Sequence, residues 1–125
     1  MAVGERGSVA MVEALDTGGS AMAKLVLIVK TRTQPGKRED VYRLFQKHLA
    51  SRVQGTDALE VFVWCADEID ADTFYIFEIY RDRTVQQVNA QEPAYLAYLQ
   101  EAGPLLAHPS EIMTATPVWG KNVPL

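Results

Sequence analysis

Few side chains in this sequence stand where chemistry needs them: an amide, a histidine, a carboxylate and a set of large aromatics. His48 lies on the apolar stripe of an amphipathic segment. An imidazole is the side-chain type suited to general base work near neutrality, and on such a stripe it is equally a satisfied packing histidine. Asn89 falls at the gap between two helical patterns, where its amide either donates to a developing oxyanion or serves as a cap. Trp64 and Tyr80 each join an apolar body to a hydrogen-bonding tip, suited to a pocket wall or to core and interface packing. Tyr95 and Tyr98 face inward from one helical stripe, as pocket lining or as plain packing. Glu78 sits mid-strand among apolar neighbours, which is costly without a partner. An interface ion pair with Lys30 or Arg32 across the sheet is the expected partner.

Other chemistries find little to work with. The single cysteine, Cys65, has no partner for an internal disulfide and no histidine beside it, so a buried thiol is expected. The two histidines are far apart and lack carboxylates at ligand spacing, so no metal site is expected, and His108 should be solvated. No Gly-rich phosphate loop occurs. A net charge of −4 with scattered Lys and Arg opposes nucleic acid and anionic membrane as partners, and Arg81-Asp82-Arg83 reads as a solvated strand end. No run approaches the roughly 20 apolar residues of a membrane span. The N-terminus lacks the apolar stretch of a secretory signal, and a cytoplasmic location is expected.

The elements that must position these residues are legible in the patterning. Residues 1–23 are Gly/Ser-rich around a short apolar group and read as a flexible extension, with Met1 and Met22 both open as the start. The 125 residues suit one domain, expected over 24–122, with a tail over 123–125. Residues 24–33 are β-branched and apolar, and 34–36 break the strand. Val41, Leu44, Phe45, His48 and Leu49 form one helical stripe that Gly55 ends. Strands follow at 59–66 and 73–80, joined by the polar connection 67–72. A short helical piece at 84–90 precedes a longer helix with Pro93 in its first turn, Gly103 at C′ and Pro104 blocking continuation. A final strand is expected over 111–119, with Pro117 near its end.

The order β-α-β-β-α-β with right-handed crossovers gives an α+β, ferredoxin-like fold, a four-stranded antiparallel sheet with helices on one face. Yet the strands are apolar on both faces: Phe74, Ile76 and Tyr80 alternate with Tyr75, Phe77 and Ile79, and Phe62 and Trp64 with Val61, Val63 and Cys65. A sheet with one wet face should alternate with polar residues. The open face therefore needs a cover, and a second copy packed about a two-fold axis, a homodimer, is the economical one.

The run from Phe74 to Tyr98, FYIFEIYRDRTVQQVNAQEPAYLAY, resembles the third strand and following helices of antibiotic-biosynthesis monooxygenase domains. The matching residues are Phe77, Glu78 and Tyr80 on the strand, Asp82 in the turn, Asn89 on the short helix, then Pro93 and Tyr95. MAKLVLIVKTRTQPGKREDV, KHL at 47–49 and ATPVWGK near the end are similar to its small bacterial quinol monooxygenase branch. The resemblance, over 22–122, implies a dimeric α+β barrel with a pocket between sheet and helices in each subunit. It implies oxidation of a quinol or a polycyclic, anthrone-like phenol by molecular oxygen, without a cofactor. Other members of the family degrade haem or isomerise a small molecule. Haem degradation is set aside: the first strand has no Asn, Asn89 stands where that branch has Trp, and Leu99 where it has His.

Such oxygenation uses the substrate as its own reductant, so the protein need only bind the ring, handle a proton and exclude water. On that reading Asn89, His48 and Tyr80 are the candidate catalytic residues, and Trp64, Tyr95 and Tyr98 hold the aromatic substrate. A dimeric protein that binds a small hydrophobic ligand without turnover, or an isomerase on the same scaffold, is the alternative.

Overall fold

The computed structural model describes residues 23–123 and 125. The expected extension lies outside the described residues except for Ala23, as does Pro124 of the tail. The first apolar run forms β1, Leu25–Arg32. The break after it turns at Gly36, whose φ of 77° is open to glycine without steric cost and whose N–H donates to Asp72 Oδ1 at 2.9 Å.

The first helical stripe becomes two helices, α1 at Arg38–His48 and α2 at Ala50–Gly55. Leu49 separates them with φ −121°, while its N–H still donates to the Phe45 carbonyl at 2.8 Å and its carbonyl accepts from Val53 at 2.9 Å. The kink thus reorients α2 with the hydrogen-bond ladder kept. Strands β2, Leu59–Ala66, and β3, Thr73–Tyr80, have the expected bounds. Helices α3, Arg83–Asn89, and α4, Pro93–Ala102, follow, and β4, Glu111–Ala115, closes the sheet.

The expected architecture is observed: four antiparallel strands in the order β2-β3-β1-β4. Besides the split of the first helix, two local expectations fail. Gly103 does not adopt the left-handed C′ conformation; its φ of −49° carries the chain into a 3₁₀ turn, Gly103–Leu105. The last strand stops at Ala115, where its pairing with β1 ends at Val26, and Val118 and Trp119 lie exposed beyond it. A strand extends only as far as its neighbour offers hydrogen bonds.

Side chains from α1 and α4 pack on the helix-side face of the sheet: Val41, Phe45, Tyr98, Leu99 and Ala102 close over Phe74, which is 2 % exposed. The 67–73 connection is tied to the start of α1 by Arg38, whose Nη1 donates to the carbonyls of Asp67, Asp70 and Thr73 at 3.2, 3.0 and 3.0 Å. These ties hold the edge of the sheet against the helix that roofs it.

Candidate active site

Alternation along β3 sends Phe74, Ile76, Glu78 and Tyr80 to the helix side. Register places Leu27 and Phe62 on either side of Glu78, and Leu25 and Leu59 on either side of Tyr80. Above this floor lie Phe45 of α1 and Tyr95, Tyr98 and Leu99 of α4, with Gln86 and Asn89 of α3 closing one end. They enclose a cavity of about 140 Å³. A dry cavity of roughly 150 Å³ accommodates benzene, so the space suits a single aromatic ring.

Glu78 is the chemical centre of this cavity, and sequence reasoning misassigned it. The expected ion pair with Lys30 or Arg32 does not form. Lys30 is opposite Tyr75 on the other face of the sheet, and Arg32 pairs with Asp70 at 3.4 Å. Glu78 instead shares the face of Leu27, is 8 % exposed, and accepts a hydrogen bond from the Tyr80 hydroxyl at 2.5 Å. Burial raises its pKa from 4.5 to about 7, with the Tyr80 bond pulling the other way. The signal was present in the sequence: Glu78 has the same parity as Phe74, Ile76 and Tyr80, and must share their face.

The Tyr80 phenol is pushed well above its ordinary range, first by burial and then by the Glu78 charge and hydrogen bond, while the Asn89 side chain opposes the rise by hydrogen bonding. Burial, with Tyr95 beside it, also pushes the Tyr98 phenol up. The Tyr80 and Tyr98 phenols therefore stay protonated near neutrality, Tyr80 donating to Glu78, and the carboxyl is the group poised to exchange a proton.

Of the candidate residues, the fold gathers Asn89, Tyr80, Tyr95 and Tyr98 around one cavity. His48 and Trp64 are outside its lining. His48 is one turn beyond Leu44 and Phe45 and its Nε2 pairs with the Glu101 carboxylate of α4, which that contact and Lys47 hold below the usual carboxylate pKa. Trp64 stacks on Phe74 with ring centroids 4.0 Å apart and meets Tyr42 edge-on, so it packs behind the cavity wall. Cys65 is half-buried rather than buried, because it belongs to the open face; His108 is exposed as expected. Among the described residues no group of three or more His, Cys, Asp or Glu is arranged to hold a metal. No described helix is long and apolar enough to cross a membrane.

The run Arg81-Asp82-Arg83 is more than a solvated strand end. Arg81 is exposed, but Asp82 is buried and its Oδ1 accepts the Val85 N–H at 2.9 Å, capping α3. Because α3 carries Gln86 and Asn89 into the cavity, the cap helps position the site. Asp82→Ala is expected to cost about 1 kcal/mol in urea unfolding, and to weaken binding of any ring that contacts Asn89.

No protein-family model and no curated protein matches the chain. Solved structures do resemble it. A candidate antibiotic biosynthesis monooxygenase from Chloroflexus aurantiacus J-10-fl aligns at 22 % identity over 82 % of this chain and 100 % of that one, with a TM-score of 0.69. A second, from Caulobacter crescentus CB15, aligns at 16 % identity over 79 % and 93 %, with a TM-score of 0.72. A third, from Nitrosomonas europaea, aligns at 15 % identity over 82 % and 96 %, with a TM-score of 0.71. The chain thus has the ferredoxin-like α+β fold of the structures named for antibiotic biosynthesis monooxygenases.

Proposed function

We propose that this protein is a cofactor-independent monooxygenase of the antibiotic-biosynthesis type, oxidising a quinol or phenol of about one ring with molecular oxygen. The observation that carries this reading is Glu78: a buried carboxyl with its pKa raised to about 7, bonded to Tyr80, in an otherwise apolar ring-sized cavity. A base with a pKa near neutrality takes a proton from a weakly acidic hydroxyl efficiently while remaining partly ionised. Glu78 thus takes the role expected of His48, which Glu101 holds away from the cavity.

The quinol hydroxyl gives its proton to the Glu78 carboxylate, which Tyr80 orients by its hydrogen bond. The Asn89 amide, at the same end of the cavity, donates to the phenolate oxygen as charge develops. The electron-rich ring then reduces O₂. One oxygen atom remains on the ring and the other leaves as water, with both electron pairs drawn from the substrate. Tyr95 and Tyr98 hold the ring, and the apolar wall keeps water from the reactive anion. The cavity volume favours a single ring over an anthrone-like polycycle, which needs the helices to move apart.

The proposed assembly is a homodimer in the cytoplasm, with the open faces of two sheets against each other. Val63, Phe77 and Met113 on that face are 45 %, 41 % and 51 % exposed in the single chain, a continuous apolar surface that water disfavours.

An oxygen electrode with a panel of hydroquinones and anthrones tests the reaction. Uptake with one-ring quinols, one O₂ per quinol and no added cofactor, is the expected result. Ligand-dependent melting shifts without uptake replace it with the binding-protein reading, and rearranged product without uptake with the isomerase reading.

A further inference from the structure

The cavity has a second charged feature, at its mouth. Arg52 of α2 and Glu92, just before α4, both line it, yet their side chains are 46 % and 31 % exposed. Side chains that border a cavity and also meet bulk water mark where the two join. Arg52 Nη2 is 3.4 Å from Glu92 Oε1, longer than an ordinary hydrogen bond. The guanidinium, a rigid fork able to grip a carboxylate through two parallel N–H bonds, is thus held loosely by this partner. Among the described residues lining the cavity Arg52 is the single cation; the other charged groups are the carboxyls of Glu78 and Glu92.

We propose that Arg52 is a specificity-determining residue that selects aromatic ligands bearing a carboxylate. Glu78 rises from the sheet that floors the cavity, whereas Arg52 and Glu92 belong to its helical side, so a ring whose hydroxyl is on Glu78 can direct the opposite substituent toward the mouth. A carboxylate there takes the Arg52 fork in place of Glu92, and the half-exposed Glu92 returns to water at little cost. A neutral substituent cannot displace Glu92 and forgoes the charged contact. The inference rests on reading the cavity as a ring-binding site, but not on turnover. Because Arg52 is itself exposed, the preference is modest, about fivefold to tenfold in affinity at low ionic strength.

The test is calorimetric titration of the full chain with 4-hydroxyphenylacetate and 4-hydroxyphenylacetamide, monophenols of one shape that differ in charge. The acid is expected to bind about fivefold to tenfold more tightly. Arg52→Gln should bring the acid to the amide's affinity, and Glu92→Gln, which removes the competing carboxylate, should tighten the acid further. Equal affinities in the unmodified protein overturn the proposal, as does an acid preference that persists in Arg52→Gln or a failure of both ligands to bind at millimolar concentration. A variant that merely melts lower, with the ratio unchanged, makes the pair a tie between helices and also overturns it. Titrated in the absence of oxygen, neither ligand is turned over, so loss of the oxygenase reading leaves this result standing. Oxygen uptake with neutral hydroquinone alongside equal affinities sinks only the role of Arg52.

Discussion

Glu78→Gln is expected to lower the rate of quinol-dependent oxygen uptake by roughly 10² to 10⁴, the range for removal of a general base. The amide fits the same space and still accepts from the Tyr80 hydroxyl, so the loss reports proton transfer and not a collapsed pocket. In the unmodified protein the rate should rise with pH as Glu78 ionises, with a midpoint at about 7, and level off above it. The variant should lose that titration from whatever rate remains.

The same group makes a stability prediction of opposite tone. In the unfolded chain Glu78 titrates near 4.5, in the folded chain near 7. Below 4.5 both states hold the proton and its full contribution to stability is present. Between the two values only the folded state does, so stability falls as pH rises, by about 1.4 kcal/mol per unit, and is constant again above 7. Replacement by Gln removes the charge that burial disfavours. Urea unfolding at pH 8 should therefore find Glu78→Gln more stable than the unmodified protein by about 3 kcal/mol, with the difference vanishing near pH 4. A variant both inactive and less stable at pH 8 would identify Glu78 as a packing residue.

The second large effect is expected on the open face of the sheet. Phe77→Lys should convert a dimer at micromolar concentration into a monomer, weakening association by a factor of at least about 100. A two-fold interface presents each substitution twice, so a dimer of the variant would have to dehydrate two unpaired ammonium groups. The exposed apolar neighbours Val63 and Met113 offer them no partner. Because Phe77 points away from the cavity, the variant should keep its fold by circular dichroism and its affinity for a one-ring phenol should show whether the chamber needs the second copy. Sedimentation of the unmodified protein as a micromolar monomer would remove the assembly.

The pattern of residues determined a good deal by itself. Alternation from Thr73 to Tyr80 and the Val41–Phe45 stripe set the elements, their order and the faces that must be buried, because period 2 and period 3.6 leave little freedom in where a side chain points. The resemblance to the monooxygenase domains, and not periodicity, grouped Asn89, Tyr80, Tyr95 and Tyr98, while the parity that puts Glu78 on the face of Tyr80 was read as an ion pair with Lys30 or Arg32. What tertiary structure decided was partnership. His48 meets Glu101, 53 residues away, rather than the cavity, since the side of a stripe a residue occupies does not say which neighbouring helix will face it. Leu49 kinks the helix, and β4 ends where β1 stops pairing with it. Above all, the proton affinity of Glu78 depends on how much water the roof of α1 and α4 excludes and on finding a phenol there in place of a cation. Both are sums over contacts between residues remote in the chain, and no local pattern encodes them.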